Sequence, residues 1–246
     1  MIRITFTLTL FLFSHLVFSQ SCVIQKAYKD GKLEWSFDYD DHKRLSEMTQ
    51  YKPDGAEAMH FYFGYQEQTN WIASIAQTDG TDSWIKTTYE RDAKGLVTRM
   101  DMFVGTNNSD YQAHRYYEYT NDPNSQFPLQ KVMAYKADGT LLEITEIDYF
   151  DQNGSSFNTK KNPDGSLIRT EKKVYDNKTG YQRWAPLHYQ NTHNLIGIEI
   201  RLPDGSIAPQ SYGCVMSYNP QGYPIEERTT TTDGTVTVSR YKYECK

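Results

Sequence analysis

The sequence is poor in cysteine, in aliphatic residues and in positive charge. Three cysteines in 246 residues leave one thiol over from any disulfide. Hydrophobic residues make up 38 %, a share that includes 20 tyrosines, which favours sheets with much exposed surface over a thick aliphatic core. The 26 Lys and Arg are outnumbered by 31 Asp and Glu, so we expect no nucleic-acid partner.

Helical periodicity and long apolar runs are also missing. Beyond the N-terminus, no window of about a dozen residues repeats its apolar residues with the 3.6 period of a helix. A helix that spans a bilayer needs about 20 apolar residues, and no stretch beyond residue 19 provides them. We therefore expect an all-β protein with no transmembrane segment in the mature chain.

Motifs for catalysis or metal binding are missing as well. Only His188 and His193 are close neighbours among the later histidines, and their spacing suits neither a helical nor a strand pair of metal ligands. Carboxylates that could serve a glycosidase are Glu143, Glu146 and Asp148, and Glu226 and Glu227. The alternation of polar residues along strands explains them better. We predict no catalytic residues, no cofactor and no metal.

The N-terminus predicts export. Arg3 supplies a positive charge, an apolar run occupies residues 4–17, and Ser19 offers a small residue for cleavage. We expect residues 1–19 to be a signal peptide and residues 20–246 to form a single domain. That domain would be secreted, periplasmic or associated with the outer membrane.

The cysteines allow two modifications. A competing cleavage site just before Cys22 would make the chain a lipoprotein, but Ser19 stands where such signals prefer an aliphatic residue, so ordinary cleavage is favoured. If Cys22 is lipidated or free, Cys214 and Cys245 are the natural pair for a disulfide, which export permits. Three unpaired thiols are the alternative.

The sequence is rich in the dipeptide Asp-Gly. Gly adopts the positive φ that tight hairpin turns require, and Asp tolerates the turn, so each copy predicts a β-hairpin tip. Seven copies begin at residues 30, 54, 79, 138, 164, 204 and 233, with variants at Lys94-Gly95, Asn153-Gly154 and Gln221-Gly222. The chain is therefore expected to be a succession of antiparallel hairpins.

The segments between these turns alternate as strands do. Over residues 167–175, charges occupy both faces, with Arg169, Glu171 and Lys173 on one and Lys172 on the other. A strand that is wet on both sides indicates a single-layered sheet or an edge. The predicted fold class is all-β, with repeated antiparallel β-hairpins forming an extended, curved meander or a partly rolled sheet.

One long segment interrupts the hairpins, an irregular insert at about residues 176–194. Long loops in compact domains are often functional, and this one concentrates Tyr181, Trp184, His188 and Tyr189. We take these four residues as the candidate binding face, because exposed aromatic patches commonly mark interaction sites. The equally weighted alternative is that the rings are core and plug one end of the sheet.

Residues 37–45, FDYDDHKRL, and YKPDG at residues 51–55 resemble a YD repeat of the RHS type, roughly Tyr-Asp-x-x-Gly-Arg-Leu before an Asp-Gly turn. Looser copies are YNPQGY at residues 218–223 and YERDAKGL at residues 89–96. Lys43 replaces the Gly of the pattern. Antitoxin-type and MORN-like hairpin repeats are also similar. The resemblance implies a curved hairpin array in a bacterial cell-envelope or secreted protein, and it implies nothing about chemistry.

These features favour a non-enzymatic binding or scaffold protein of the bacterial cell envelope or exterior, with an unknown protein or glycan as ligand. The alternative is a carbohydrate-active protein, either a glycan-binding module or a glycoside hydrolase, that stacks sugars on surface aromatics. Its tryptophans would be Trp35, Trp71, Trp84 and Trp184. A cleft with two facing carboxylates would favour the hydrolase, and an aromatic face without them would favour binding.

Overall fold

The computed structural model describes residues 22–67, 69–179 and 193–245, so the predicted signal peptide lies outside the described residues. The described residues form sixteen β-strands: β1 (Cys22–Lys29), β2 (Lys32–Tyr39), β3 (Leu45–Tyr51), β4 (Glu57–Tyr65), β5 (Ile72–Thr78), β6 (Trp84–Arg91), β7 (Val97–Gly105), β8 (Tyr111–Asn121), β9 (Leu129–Lys136), β10 (Leu141–Tyr149), β11 (Ser156–Lys161), β12 (Leu167–Thr179), β13 (His193–Arg201), β14 (Tyr212–Tyr218), β15 (Pro224–Thr231) and β16 (Val236–Cys245). Within these ranges, no helix is long and apolar enough to cross a membrane.

The sheet closes on itself as an antiparallel barrel. β1 pairs with β16 as well as with β2, and the order of strands around the barrel is their order in the sequence. The all-β prediction is confirmed, but the open or partly rolled meander is wrong. Closure depends on pairs such as Ala27 with Tyr241, which join the two ends of the chain and leave no trace in the local sequence pattern.

The turns at the two ends of the barrel are of two kinds. All seven Asp-Gly turns join an odd-numbered strand to the even-numbered strand that follows, so they lie at one end, the Asp-Gly rim. The variants at Lys94-Gly95, Asn153-Gly154 and Gln221-Gly222 lie in turns that follow even-numbered strands, at the opposite end. We call this end the Asx rim. The turns after β2, β6, β8, β10 and β14 occupy residues 40–44, 92–96, 122–128, 150–155 and 219–223 of this rim.

An Asp or Asn side chain organises four of the turns at the Asx rim. Oδ1 of Asp92 accepts hydrogen bonds from the backbone N–H of Lys94 and of Leu96, both at 2.9 Å. The same two bonds, to the second and fourth residues after the side chain, recur at Asp40, Asp151 and Asn219. These Asx turns mimic a backbone turn. The Asp or Asn that begins each of these four turns therefore has a structural role.

A second bond locks the open end of several hairpins at the Asx rim. The hydroxyl of Tyr39 donates to the carbonyl of Ile24 at 2.7 Å, and that of Tyr65 donates to the carbonyl of Leu45 at 2.8 Å. Equivalent bonds join Arg91 to Ile72, Asn121 to Val97 and Tyr243 to Pro224. The residues whose carbonyls are bound are all buried. In each case a residue at or near the end of the hairpin's second strand binds a residue at or near the start of its first strand.

Apolar side chains cover one face of the sheet in two separate clusters. The first contains Ile24, Ala27, Phe37, Leu45 and Met48 from the first three strands. The second contains Val97, Tyr119, Leu129 and Ile147 from β7 to β10. Since side chains on the concave side of a closed sheet converge, this is the inner face. Each cluster lies on neighbouring strands, so neither joins opposite walls of the barrel.

Charged side chains share this inner face. Glu171 on β12 lies 2.6 Å from Arg169 and 3.5 Å from Lys173, and Glu143 on β10 lies 2.7 Å from Lys160. Because β12 pairs with both β11 and β13, it is not an edge strand. A solvated lumen, rather than an edge, explains why the sequence of β12 carries charge on both faces.

Candidate functional site

The insert leaves the barrel at the Asx rim. β12 ends at Thr179 and β13 begins at His193, so residues 180–192 connect an even-numbered strand to the next odd-numbered one. The predicted binding residues Tyr181, Trp184, His188 and Tyr189 fall in this segment and lie outside the described residues. The structure describes the two ends of the insert, Asp176 and Asn194, and the residues that contact them, which we call the base of the insert.

Asp176 holds that base. Its Oδ1 accepts hydrogen bonds from the backbone N–H of Lys178 at 2.9 Å and of Asn194 at 3.1 Å. In the turn of Asp92 the second donor follows after four residues, whereas here it follows after 18, a difference of 14. Asn194 therefore takes the place that Leu96 has in the ordinary turn, and the two strands remain paired beyond it, up to Thr179 and His193.

Two side chains also bind the other oxygen of Asp176. The hydroxyl of Tyr218 on β14 donates a hydrogen bond to Oδ2, and Nδ2 of Asn194 donates to it at 3.2 Å. Asn194 is only 2 % exposed. Burial, followed by the bond to Asp176, raises the pKa of Tyr218 above its usual value, so the hydroxyl keeps its proton and remains a donor.

Cys214 lies on the same strand as Tyr218. Its thiol donates to the carbonyl of Leu195 at 3.4 Å. Burial, and then the negative charges of Glu227 and Asp176, raise the pKa of Cys214 to about 12. A thiol in this state is protonated at neutral pH and is a poor nucleophile. The base of the insert is thus built to hold a segment in place, and its chemistry does not favour covalent catalysis.

The disulfide predicted between Cys214 and Cys245 is not supported, because Cys214 is a free thiol. Cys214 pairs with Thr229 on β15, and Thr229 pairs with Thr237 on β16. The stretch of β16 from Thr237 to Cys245 spans about 26 Å at the rise of a β-strand. A disulfide needs Cα atoms within about 7 Å. Cys245 lies beyond Thr237 along β16, at the Asx rim, and its backbone pairs there with that of Cys22.

The carboxylates considered for a glycosidase are divided between the two faces of the wall. Glu143 lies on the inner face and Glu146 on the outer face, each held by a lysine of β11 at 2.7 and 2.6 Å. Glu226 and Glu227 are divided in the same way. Within the described ranges, no group of three His, Cys, Asp or Glu side chains could hold a metal ion. Neither Glu143 with Glu146 nor Glu226 with Glu227 therefore faces one substrate, whereas Glu146 and Asp148 share the outer face of β10.

The described tryptophans do not form one platform. Trp35 packs on the inner cluster of the first strands. Trp71 lies at the Asx rim against Gly95. Trp84 lies on the outer wall, and Trp184 falls in the undescribed part of the insert. Their spread over three surfaces separates the residues that the sequence grouped together.

One aromatic stack faces outward. The ring of Tyr62 lies 6.2 Å from that of His60 and 6.1 Å from that of Trp84, with interplanar angles of 9° and 20°. Tyr62 is 39 % exposed. His60 is fixed between Glu47 and Glu57, at 3.1 and 3.2 Å from its ring nitrogens. Sequence reasoning missed this stack because only the pairing of β4, β5 and β6 sets Trp84 level with His60 and within reach of the ring of Tyr62.

Comparisons with known proteins give a fold but no family. No family model and no curated protein matches the sequence. The chain is similar to the crystal structure of a porin-like protein from Bacteroides uniformis ATCC 8492, with a TM-score of 0.58 and 12 % identity over 85 % of this chain and 89 % of that chain. At this identity the likeness shows the fold alone.

Two other structures are less similar. A porin-like protein from Bacteroides vulgatus ATCC 8482 has a TM-score of 0.48 and 10 % identity over 91 % of this chain and 99 % of that one. The Photorhabdus luminescens Tc holotoxin pore has a TM-score of 0.29 and 9 % identity over 89 % of this chain and 15 % of that one. Because both TM-scores are below 0.5, we draw no conclusion from these two structures.

Proposed function

We propose that the protein is an exported, non-enzymatic binding protein of the bacterial cell envelope, and that the insert at residues 176–194 binds its ligand at the Asx rim. The observation that carries the proposal is that Asp176 binds the backbone of Lys178 and Asn194 as Asp92 binds its turn, although the insert separates the two donors. At Asp92 the same pair of bonds is made with the second donor only four residues after the acceptor. Binding residues are commonly placed on loops that a rigid scaffold positions.

The charged side chains of the outer wall favour a barrel that is surrounded by water. Four ion pairs lie on it, with N–O distances of 2.6 to 2.9 Å: Arg99 with Asp101, Lys161 with Glu146, Arg201 with Glu199, and Arg240 with Glu226. A barrel that spans an outer membrane presents an apolar band about 25 Å tall to the lipid, and a basic residue at its middle costs about 2–4 kcal/mol. We therefore propose a place in an aqueous part of the envelope.

The recurrent turns and locks support the resemblance to YD repeats. Tyr39 and Asp40 have different roles. The Tyr39 hydroxyl binds the first strand of the hairpin, and the Asp40 carboxylate binds the backbone of the turn that follows. We keep membership of the YD-repeat or RHS type as a proposal. It agrees with an exported bacterial protein and assigns no chemistry.

Replacing the insert tests the binding proposal. Residues 177–193 are exchanged for Ala-Lys-Gly, the residues that fill the turn of Asp92, so that Asn194 again stands four residues after Asp176. We expect the variant to keep the circular dichroism of the barrel and to lose the signals that the parent gives on an array of purified envelope polysaccharides and host glycans. In the matched control, an Asp-Gly turn replaces residues 106–110 at the other rim and binding is kept.

Three results would count against the proposal. Equal array profiles for the parent and the insert variant would place binding elsewhere. Loss of the folded state in the insert variant would show that the rings of the insert are core. A parent that binds no glycan on the array would rule out the glycan class of ligand.

The outer stack supports glycan binding as a second candidate. The rings of His60, Tyr62 and Trp84 are nearly parallel and Tyr62 is partly exposed, so the stack offers aromatic surface and polar groups to a sugar. Tyr62→Ala should abolish glycan signals that survive replacement of the insert. Tyr116→Ala, which breaks a stacked pair elsewhere on the wall, should leave them unchanged.

A further inference from the structure

The seam of the barrel brings two cysteines together. Cys22, the first residue of β1, is the Cα partner of Cys245, the last residue of β16. Residues directly opposite each other in an antiparallel pair have Cα atoms about 4.5–5.5 Å apart. Disulfides join residues whose Cα atoms are about 4.4–6.8 Å apart. The backbone register alone therefore brings this pair within bonding range.

We propose that Cys22 and Cys245 form a disulfide that staples the first strand of the barrel to the last. Both cysteines remain in the chain if cleavage follows Ser19. Cys214 lies on another strand with a protonated thiol bound to a backbone carbonyl, so it does not compete for either partner. The odd cysteine count then resolves into one bond and one free thiol.

The bond forms by thiol–disulfide exchange in the compartment to which the chain is exported. The thiolate of one cysteine attacks the disulfide of an oxidised dithiol protein and gives a mixed disulfide. The thiolate of the second cysteine then displaces the oxidant, which leaves as a dithiol. Two electrons and two protons pass from the pair to the oxidant. Lipidation of Cys22 would convert its thiol to a thioether, so the staple and a lipid anchor on Cys22 exclude each other.

The staple acts at the seam that joins the two ends of the described chain. Chain termini are the usual sites of fraying. The barrel stays closed only while β1 and β16 remain paired, and these strands hold the two ends of the described chain. A covalent bond at the last pair of this seam keeps the sheet closed when its hydrogen bonds open.

Thiol counting on the full mature chain tests the proposal. Protein purified without reductant and unfolded in denaturant should show one thiol per chain with an aromatic disulfide reagent, and three after reduction. Cys22→Ser should raise the count in unreduced protein from one to two, because it releases Cys245. Cys214→Ser, the matched control, should lower it from one to none. Peptide mapping without reduction should join the peptides that contain Cys22 and Cys245.

Each other outcome overturns the proposal. Three thiols in the unreduced parent would show that no bond forms. A diacylglycerol thioether on Cys22, or a peptide that links Cys214 to another cysteine, would assign the sulfur atoms differently. A dimer on a non-reducing gel would show that the bond joins two chains rather than the two ends of one.

Discussion

The hydroxyl of Tyr218 donates a hydrogen bond to the carboxylate of Asp176 and so joins β14 to the end of β12 at the base of the insert. Tyr218→Phe removes the donor and keeps the ring. A hydrogen bond to a charged group contributes about 1.5–3 kcal/mol, so we expect the free energy of unfolding to fall by about that amount in urea denaturation.

The matched control for this prediction is Tyr62→Phe, which keeps a ring of the outer stack and loses its hydroxyl. We expect it to change the free energy of unfolding by less than about 0.5 kcal/mol, as is usual for surface changes. Equal losses in the two variants would show that the bond between Tyr218 and Asp176 does not stabilise the base of the insert.

Gly95 lies in a turn of the Asx rim, at a position where any other residue should destabilise the protein. Its φ is +83°, and an added Cβ would lie 2.4 Å from Cζ2 of Trp71. Gly55 at the opposite rim has a φ of +89° with no atom within 4 Å of an added Cβ. Gly55→Ala should therefore cost about 1–2 kcal/mol for the left-handed backbone alone.

Gly95→Ala should cost about 1–3 kcal/mol more than Gly55→Ala, because the ring of Trp71 must also move. Urea denaturation of the two variants gives the comparison. Equal costs would mean that Trp71 yields freely and that the Asx rim is not tightly packed at this turn.

The Asp-Gly turns were the part of the fold that could be predicted from the sequence. A glycine with positive φ is a local requirement, and the glycines of the predicted tips have it, Gly31 and Gly234 included. Barrel closure was not predictable in this way, because pairs such as Ala27 with Tyr241 form between residues that no local pattern connects. Cys22 and Cys245 are likewise far apart in the sequence, so their pairing could not be predicted from local pattern, and Cys245 was assigned to Cys214 instead.

The candidate site was predictable only at its boundaries. Asp176 and Asn194, the limits assigned to the insert, are the two residues that hold its base. Tyr218 joins them from β14, and only the closed sheet shows that it does. The recurrence of a Tyr followed by Asp or Asn was a usable signal, since Tyr175-Asp176 marks the start of the turn that the insert enlarges.

The buried tyrosines predict a loss of stability in alkali. Burial raises the pKa of Tyr65 to about 12, with a smaller contribution from Asp40, and burial also raises the pKa of Tyr89 to about 12. An unfolded tyrosine ionises near pH 10. The stability that these groups contribute is therefore fully present below about pH 10 and is lost as the pH rises towards 12.

Absorbance of the phenolate form, followed together with circular dichroism, measures this loss. We expect the exposed tyrosines to ionise near pH 10 and the buried ones at higher pH, as the β-sheet signal disappears. In denaturant all tyrosines should ionise in one step. One step near pH 10 in the native protein, with the sheet signal intact, would contradict the burial of Tyr65 and Tyr89.

The charged outer wall predicts that the mature chain stays out of lipid. Arg99 and Asp101 form an ion pair at 2.7 Å on the face of β7 that points away from the apolar clusters. We therefore expect residues 20–246 to fold without detergent and to remain in the aqueous phase when a detergent solution is warmed and separates, because burial of such charges in a bilayer is unfavourable. A lipid on Cys22 would also draw the chain into the detergent phase, so Cys22→Ser is tested beside the parent. If the variant enters the detergent phase as well, the wall itself contacts lipid and the placement of the barrel in water is wrong.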